Sequence, residues 1–354
     1  MSFYIISHNV NSNRRPYPNE CNDKIDTCSK EWMYLHSKLQ DHPRPIVMLQ
    51  EVSFEWSNFL IVNFQKESYR IHYNPTNKTL IAYPDELILN QMKTISLSEF
   101  QYEDVFMKLE KKIDDLDSEN NNGGSSLNIF SQFYSYFRQW VNETTPLDAY
   151  TDKSKDNAQK YIYIIKKCTE KICPVFNCVE LQYNDYGKSI LFANIVFRAN
   201  IIEKNSKYLI WVLKILLFFL NKLSQDKGLV VCAYMPGVKI YSDIYKNITQ
   251  PETSFFINDN DLYVPEIDRY LSNNNNTLCM NDAYIVYNSE PPPCTRNTIF
   301  NDTPIREICD YIFINKNINV AEMNHIQDSM ETIPNNKIHS DHYPFELKLN
   351  HKII

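Results

Sequence analysis

The sequence predicts a mixed α/β (α+β) sandwich around one hydrophobic core. Three observations predict it: strand-like segments recur from end to end, helical patterns fall between them, and no internal repeat is visible. With 354 residues, 43% of them hydrophobic, the chain has enough apolar material to bury a sizeable core. Residues 1–354 are therefore read as a single domain, interrupted by one insertion at about 97–172.

Near the start, "FYIISHN", and then "PIVMLQ" at 45–50, are apolar and β-branched, the mark of strands. Between them "SKEWMYLHSKL" sets Trp32, Leu35 and Leu39 on one helical face. The later segments "VFNCVELQY", "SILFANIVF", "LVVCAYM", "DAYIVY", "DYIFIN" and "PFELKL" read as further strands. One helix, "YLIWVLKILLFFLNKL" at 208–223, separates two of them and carries Lys214 in its middle. It is shorter than the roughly twenty apolar residues a bilayer needs, so a buried helix is expected and no membrane span.

The insertion breaks this rhythm. It is acidic at first and then polar at "DDLDSENNNGGSS", an exposed-loop composition. "NIFSQFYSYFRQWV" follows, with Phe130, Phe133, Phe137 and Trp140 at helical spacing. A helix capping the core and a partner-binding helix both satisfy that pattern. Next comes "KSKDNAQKYIYIIKK", where Lys153, Lys155, Lys160, Lys166 and Lys167 lie among tyrosines. This run reads either as a solvated helix face or as a grip for single-stranded RNA.

Composition excludes several function classes. Only 5 Gly stand against 24 Tyr and 19 Phe, and no P-loop or dinucleotide fingerprint is present. A net charge of -7 argues against general duplex DNA binding. The nine cysteines form no regular framework, and Cys168, Cys173 and Cys178 lack a fourth ligand and the spacing of a zinc site. "MSFYIISHNV" has neither a basic flank nor a cleavage site, so an intracellular protein, cytoplasmic or nuclear, is expected. The Asn-, Ile-, Lys- and Tyr-rich usage suits an AT-rich genome such as that of a large virus or a protist.

Candidate chemistry gathers at strand ends. Glu51 follows "IVMLQ", Asp310 opens "DYIFIN", and Asp341 with His342 precede the last strand in "HSDHYPFELKL". Carboxylates so placed suit a hard cation such as magnesium, which takes oxygen ligands. An Asp bonded to a His would fix its tautomer and favour its charged form, ready to face a phosphoryl oxygen. Each residue alone also fits a solvated or capping role.

In order and context, "SHNVNS" with Asn9, "LQEVS" with Glu51, "CDYIF" with Asp310 and "HSDHYPFEL" with Asp341 and His342 resemble the endonuclease/exonuclease/phosphatase superfamily, the deoxyribonuclease I-like fold. Within it, "NSEPPPCTRNTIFNDTPIREICDYIF" is most similar to the deadenylase, nocturnin and Angel branch. The resemblance implies a four-layer sandwich of two facing sheets with helices outside. It implies Glu51 as principal magnesium ligand, Asn9 as its helper, Asp310 orienting His342, and Asp341 supporting the metal or the attacking water. The reaction implied is Mg²⁺-dependent hydrolysis of a phosphodiester, most often at a 3′ poly(A) end.

Two motifs of that family are missing. Where it has Asn-Thr-His-Leu, this chain reads "LFANIVF", with Ile195 for Thr and Val196 for His, and no histidine occurs between His72 and His325. Where it has Gly-Asp-Phe-Asn, this chain reads Ala233, Tyr234, Met235 and Pro236. The branch's Thr-Asn is altered as well, Arg296 following Thr295. A positioned acid or base is worth about 10²- to 10⁴-fold in rate and an electrostatic stabiliser about 10²- to 10³-fold. The expectation is a degenerate phosphodiesterase fold, a pseudoenzyme reused for binding or structure in RNA metabolism, with a protein partner. The alternative is an active magnesium-dependent 3′ exoribonuclease with a rebuilt site.

Overall fold

The computed structural model describes residues 2–12, 24–97, 173, 175–182, 189–197, 227–236, 280–300, 303–325 and 340–351, with single residues between 213 and 224 and between 238 and 249. Phe133, Phe137, Trp140 and the five lysines of the 153–167 run lie outside the described residues.

The elements run β1 (Ser2–Asn9), α1 (Lys24–Asp41), β2 (Ile46–Gln50), α2 (Phe54–Lys66), β3 (Tyr69–Asn74), β4 (Thr79–Pro84), β5 (Ile88–Ser96), β6 (Val175–Gln182), β7 (Ser189–Val196) and β8 (Gly228–Tyr234). They continue as β9 (Met280–Asp282), α3 (Ala283–Asn288), β10 (Arg296–Phe300), β11 (Thr303–Glu307), β12 (Asp310–Asn315), β13 (Ile318–His325) and β14 (Phe345–His351). Among the described residues the strands form two mixed six-stranded sheets, ordered β13-β14-β1-β2-β4-β3 and β5-β6-β7-β8-β12-β9, with β10 and β11 as a separate ribbon.

The central strands are apolar on both faces because both faces are covered. In β2, Ile46 and Met48 join Phe3, Ile5, Phe192, Val230, Cys232, Ile312 and Leu347 between the sheets. Val47 and Leu49 point the other way, against Leu35, Leu39, Trp56, Leu60 and Phe64 of α1 and α2. Helix α2 starts at Ser53, whose side chain accepts from the Trp56 N–H, an ordinary N-cap. Across the second sheet, helical residue Tyr245 sets its ring 6.1 Å from Tyr311 and 6.2 Å from Phe313 of β12. Leu213, Leu216 and Leu220, all helical, are buried, in keeping with the helix expected at 208–223. No described helix is long and apolar enough to cross a membrane.

One expected strand is a helix. "DAYIVY" forms the end of β9 and then α3, because the Asp282 side chain accepts from the N–H groups of Tyr284 and Ile285 and caps the turn. Five apolar residues in a row fit a strand or a helix equally well, and the cap decides.

Polar clamps join the sheets. Asn194 of β7 donates from Nδ2 to the carbonyls of Leu49 and Leu80 at 2.9 and 3.1 Å, and its Oδ1 accepts from Gln50 Nε2 at 2.8 Å. β5 and β6 pair from Ile88↔Gln182 to Ser96↔Val175, so the 97–172 segment leaves and re-enters at one end of an antiparallel pair.

Candidate active site

Chain direction brings the candidate residues to one end of the sandwich. Parallel strands β1 and β2 end at Asn9 and Gln50, next to Glu51. Parallel strands β7 and β8 end side by side at Val196 and Tyr234. β12 runs against β8 and so begins there, with Asp310 opposite Tyr234. β14 runs against β1, which places the preceding Ser340-Asp341-His342 segment at the same end.

Local backbone features aim these side chains. Glu51 has φ 55°, a left-handed conformation that costs a non-glycine residue energy and collects at functional sites. Its carbonyl accepts from Ser12 Oγ at 2.7 Å and Ser12 N at 3.2 Å, and Val52 N donates to the Lys78 carbonyl at 2.8 Å, which holds the turn. Asn11 is also left-handed, at φ 39°, and its N–H donates to Asn9 Oδ1 at 2.9 Å.

Asp310 and His342 meet as a buried pair, Oδ2 to Nδ1 at 2.7 Å. Burial alone would lower the imidazole's pKa, but the Asp310 charge, its hydrogen bond and the Asp341 charge raise it above the ordinary 6.5. The other ring nitrogen, Nε2, is buried, lacks a hydrogen-bond partner and lies 3.8 Å from Asp341 Oδ1. Glu51 shows the opposite balance. Burial pushes its carboxyl up, against the lowering influence of His342, the Asn9 amide and Arg296.

Three residues that strand-end reasoning passed over complete the site. Arg296, at the start of β10, donates from Nε to Asp341 Oδ2 at 3.1 Å and from its guanidinium to Glu307 Oε1 at 2.7 Å. Asn11 Nδ2 donates to Asp341 Oδ1 at 2.8 Å. Glu31 of α1 sits fully buried between His8 Nε2 (3.1 Å) and the Ser340 N–H (2.6 Å), while Ser340 Oγ donates to the Asn9 carbonyl at 2.6 Å. Glu31 thus ties the 340–342 segment to helix α1 and strand β1. The only sequence signal for any of these was Arg296 standing in an altered Thr-Asn pair.

Val196, Tyr234 and Cys309 form a small buried apolar cluster of their own, and Pro236 is buried in the turn after β8. The Tyr234 ring meets His342 edge-on with centroids 5.3 Å apart. Burial first, and then the charge of Glu51, drive the Tyr234 phenol far above its ordinary pKa, so it stays protonated.

Cys309 Sγ, the Asp310 carboxylate and the His342 imidazole lie within 4.8 Å of one another. Burial, Asp310 and Glu307 push the thiol well above its ordinary value. Cys309 is therefore a protonated thiol donating weakly to Asp310 Oδ2 at 3.5 Å, not a thiolate ligand.

The donor set fits a divalent cation poorly. Both Asp341 oxygens accept from protein N–H groups, Asp310 Oδ2 is held by His342 so that only its Oδ1 is unbonded, and the Arg296 charge acts on Glu51 itself. Hard cations need several free oxygen ligands and no competing positive charge.

No protein-family model and no curated protein matches this sequence. Solved structures do. The structure of ANGEL2, a 2′,3′-cyclic phosphatase, in complex with adenosine-2′,3′-vanadate aligns over 99% of this chain and 96% of its own, with TM-score 0.59 at 14% identity. The human nocturnin catalytic domain with bound sulfate aligns over 99% and 95%, with TM-score 0.55 at 12% identity. An endonuclease/exonuclease/phosphatase from Bacteroides vulgatus aligns over 99% and 100%, with TM-score 0.54 at 14% identity. The chain has the endonuclease/exonuclease/phosphatase fold, an α/β sandwich, and its likeness includes nocturnin and ANGEL2.

Proposed function

We propose that this chain, built on the endonuclease/exonuclease/phosphatase fold, is a catalytically degenerate phosphodiesterase-like protein that serves by binding. One observation carries the reading: where β7 and β8 end beside the Asp310–His342 pair, the side chains are Val196 and a protonated Tyr234, packed with Cys309. Neither can take a proton from water, and the buried Pro236 offers no side-chain hydrogen bond to a phosphate. Losing members of one catalytic unit together leaves little above background.

The ligand proposed is single-stranded RNA, with a protein partner engaging the 97–172 segment. The test is labelled oligoadenylate incubated with the purified chain. Retention without shortening supports the reading, and progressive shortening contradicts it.

A second reading, a surviving hydrolase with a rebuilt site, draws on the intact Asp310–His342 pair and on Glu51 in its left-handed turn. It requires Glu51→Ala and His342→Ala each to abolish turnover. Magnesium, expected on the resemblance, would have to be held through Glu51 and Asn9 beside the Arg296 guanidinium.

A further inference from the structure

We propose that Arg296 is the resident cation of this site, its guanidinium neutralising the acidic cluster in place of a divalent metal ion. The inference goes beyond the reading above, because it concerns which cation orders the site and not whether a phosphodiester is cleaved.

Arg296 lies among acids from three parts of the chain. It bonds Asp341 through Nε and Glu307 through its terminal nitrogen, and its charge favours the ionised form of Glu51 as well as of Asp341. A guanidinium is always charged, and its planar fork matches two carboxylates at once. Its position is fixed by backbone as well as side chain. Residues 296 and 342 form an antiparallel bridge, Asn297 N donates to the Asp341 carbonyl at 2.8 Å, and Tyr343 N donates to the Thr295 carbonyl at 2.8 Å. The β10 strand is thereby stitched to the segment that carries Asp341 and His342.

That arrangement does what a metal would do for the cluster. It offsets repulsion among Glu51, Asp341 and Glu307, and with Asn11 it consumes both oxygens of Asp341. A divalent ion entering beside it would meet Glu51, the one unbonded oxygen of Asp310, Oδ1, and a fixed positive charge. The same chain without the guanidinium would present Glu51 and a freed Asp341 oxygen to the ion.

The test uses Mn²⁺ alone on the EDTA-stripped full chain, read by the loss of free-ion signal in electron paramagnetic resonance and by thermal melting with and without Mg²⁺. Wild type is expected to immobilise no Mn²⁺ at millimolar concentration and to melt at one temperature with or without Mg²⁺. Arg296→Asn is expected to melt lower in EDTA, to regain stability with Mg²⁺, and to bind Mn²⁺ at least about tenfold more tightly than wild type. Arg296→Gln, which keeps an N–H donor for Asp341, provides the same comparison if the shorter side chain does not fold. Wild-type Mn²⁺ binding that disappears in Glu51→Ala would overturn the proposal. So would a folded Arg296 variant with no more affinity for Mn²⁺ than wild type.

Discussion

The edge of the Tyr234 ring rests against the imidazole of His342, centroids 5.3 Å apart and planes at 80°. Tyr234 ends β8 opposite Asp310, so its ring stands beside the Asp310–His342 pair. An aromatic ring there adds packing and offers no base. Restoring one carboxylate is not enough, since Val196 and Pro236 remain. Tyr234→Asp is expected to leave oligoadenylate uncut and to melt below wild type, because a new buried charge faces Asp310 without a partner. A cleavage assay and a thermal melt of the same preparation check both outcomes.

Glu51 is a carboxylate kept at some cost. Its folded pKa lies above the ordinary 4.5, so its contribution to stability is fully present below that value and is lost as pH rises through the folded pKa. Ionising this buried carboxyl therefore opposes folding. Glu51→Gln is expected to melt higher than wild type at pH 7 in EDTA, the advantage disappearing below about pH 4.5, the ordinary carboxyl value. A lower melting temperature for Glu51→Gln at pH 7 would contradict this.

The Asp310–His342 pair carries a pH dependence of the same sign. His342 has a folded pKa above its ordinary 6.5, so the pair's stabilisation is complete below pH 6.5 and is lost as pH rises through the folded value. Asp310→Asn removes the charge that holds the imidazolium. The stability gap between wild type and Asp310→Asn should narrow as pH rises, and the His342 titration followed by NMR should move to lower pH in the variant.

Asn194 tests the join between the sheets. Its amide satisfies two carbonyls on the facing sheet and accepts from Gln50. Asn194→Ala removes three buried hydrogen bonds at once, each worth about 0.5–1.5 kcal/mol net. Urea unfolding is expected to show a lower midpoint with an unchanged slope.

Strand ends were the legible part of this chain. Glu51, Asp310, Asp341 and His342 could be placed because apolar runs announce where strands start and stop, Asn9 came only through the family resemblance, and the structure brings these residues to one end. The neighbours that shape them were hidden by distance along the chain. Arg296 was visible as a substitution, but its partner Asp341 is 45 residues away, and Glu31 meets the Ser340 N–H across 309 residues. No local pattern encodes such contacts. "DAYIVY" misled for a different reason: its apolar run suits either period, and a single side chain, Asp282, settles it by capping the helix. β3 and β5 carry mixed burial and weaker signals than the fully covered central strands.

Degeneracy of the site is tested most directly by Mg²⁺ titration of the purified chain with labelled oligoadenylate, wild type beside Glu51→Ala. The expected result is no shortening by either protein at any Mg²⁺ concentration, with binding unchanged by the substitution. Mg²⁺-dependent shortening by wild type that vanishes in Glu51→Ala would contradict it and establish a working hydrolase on the retained half of the site.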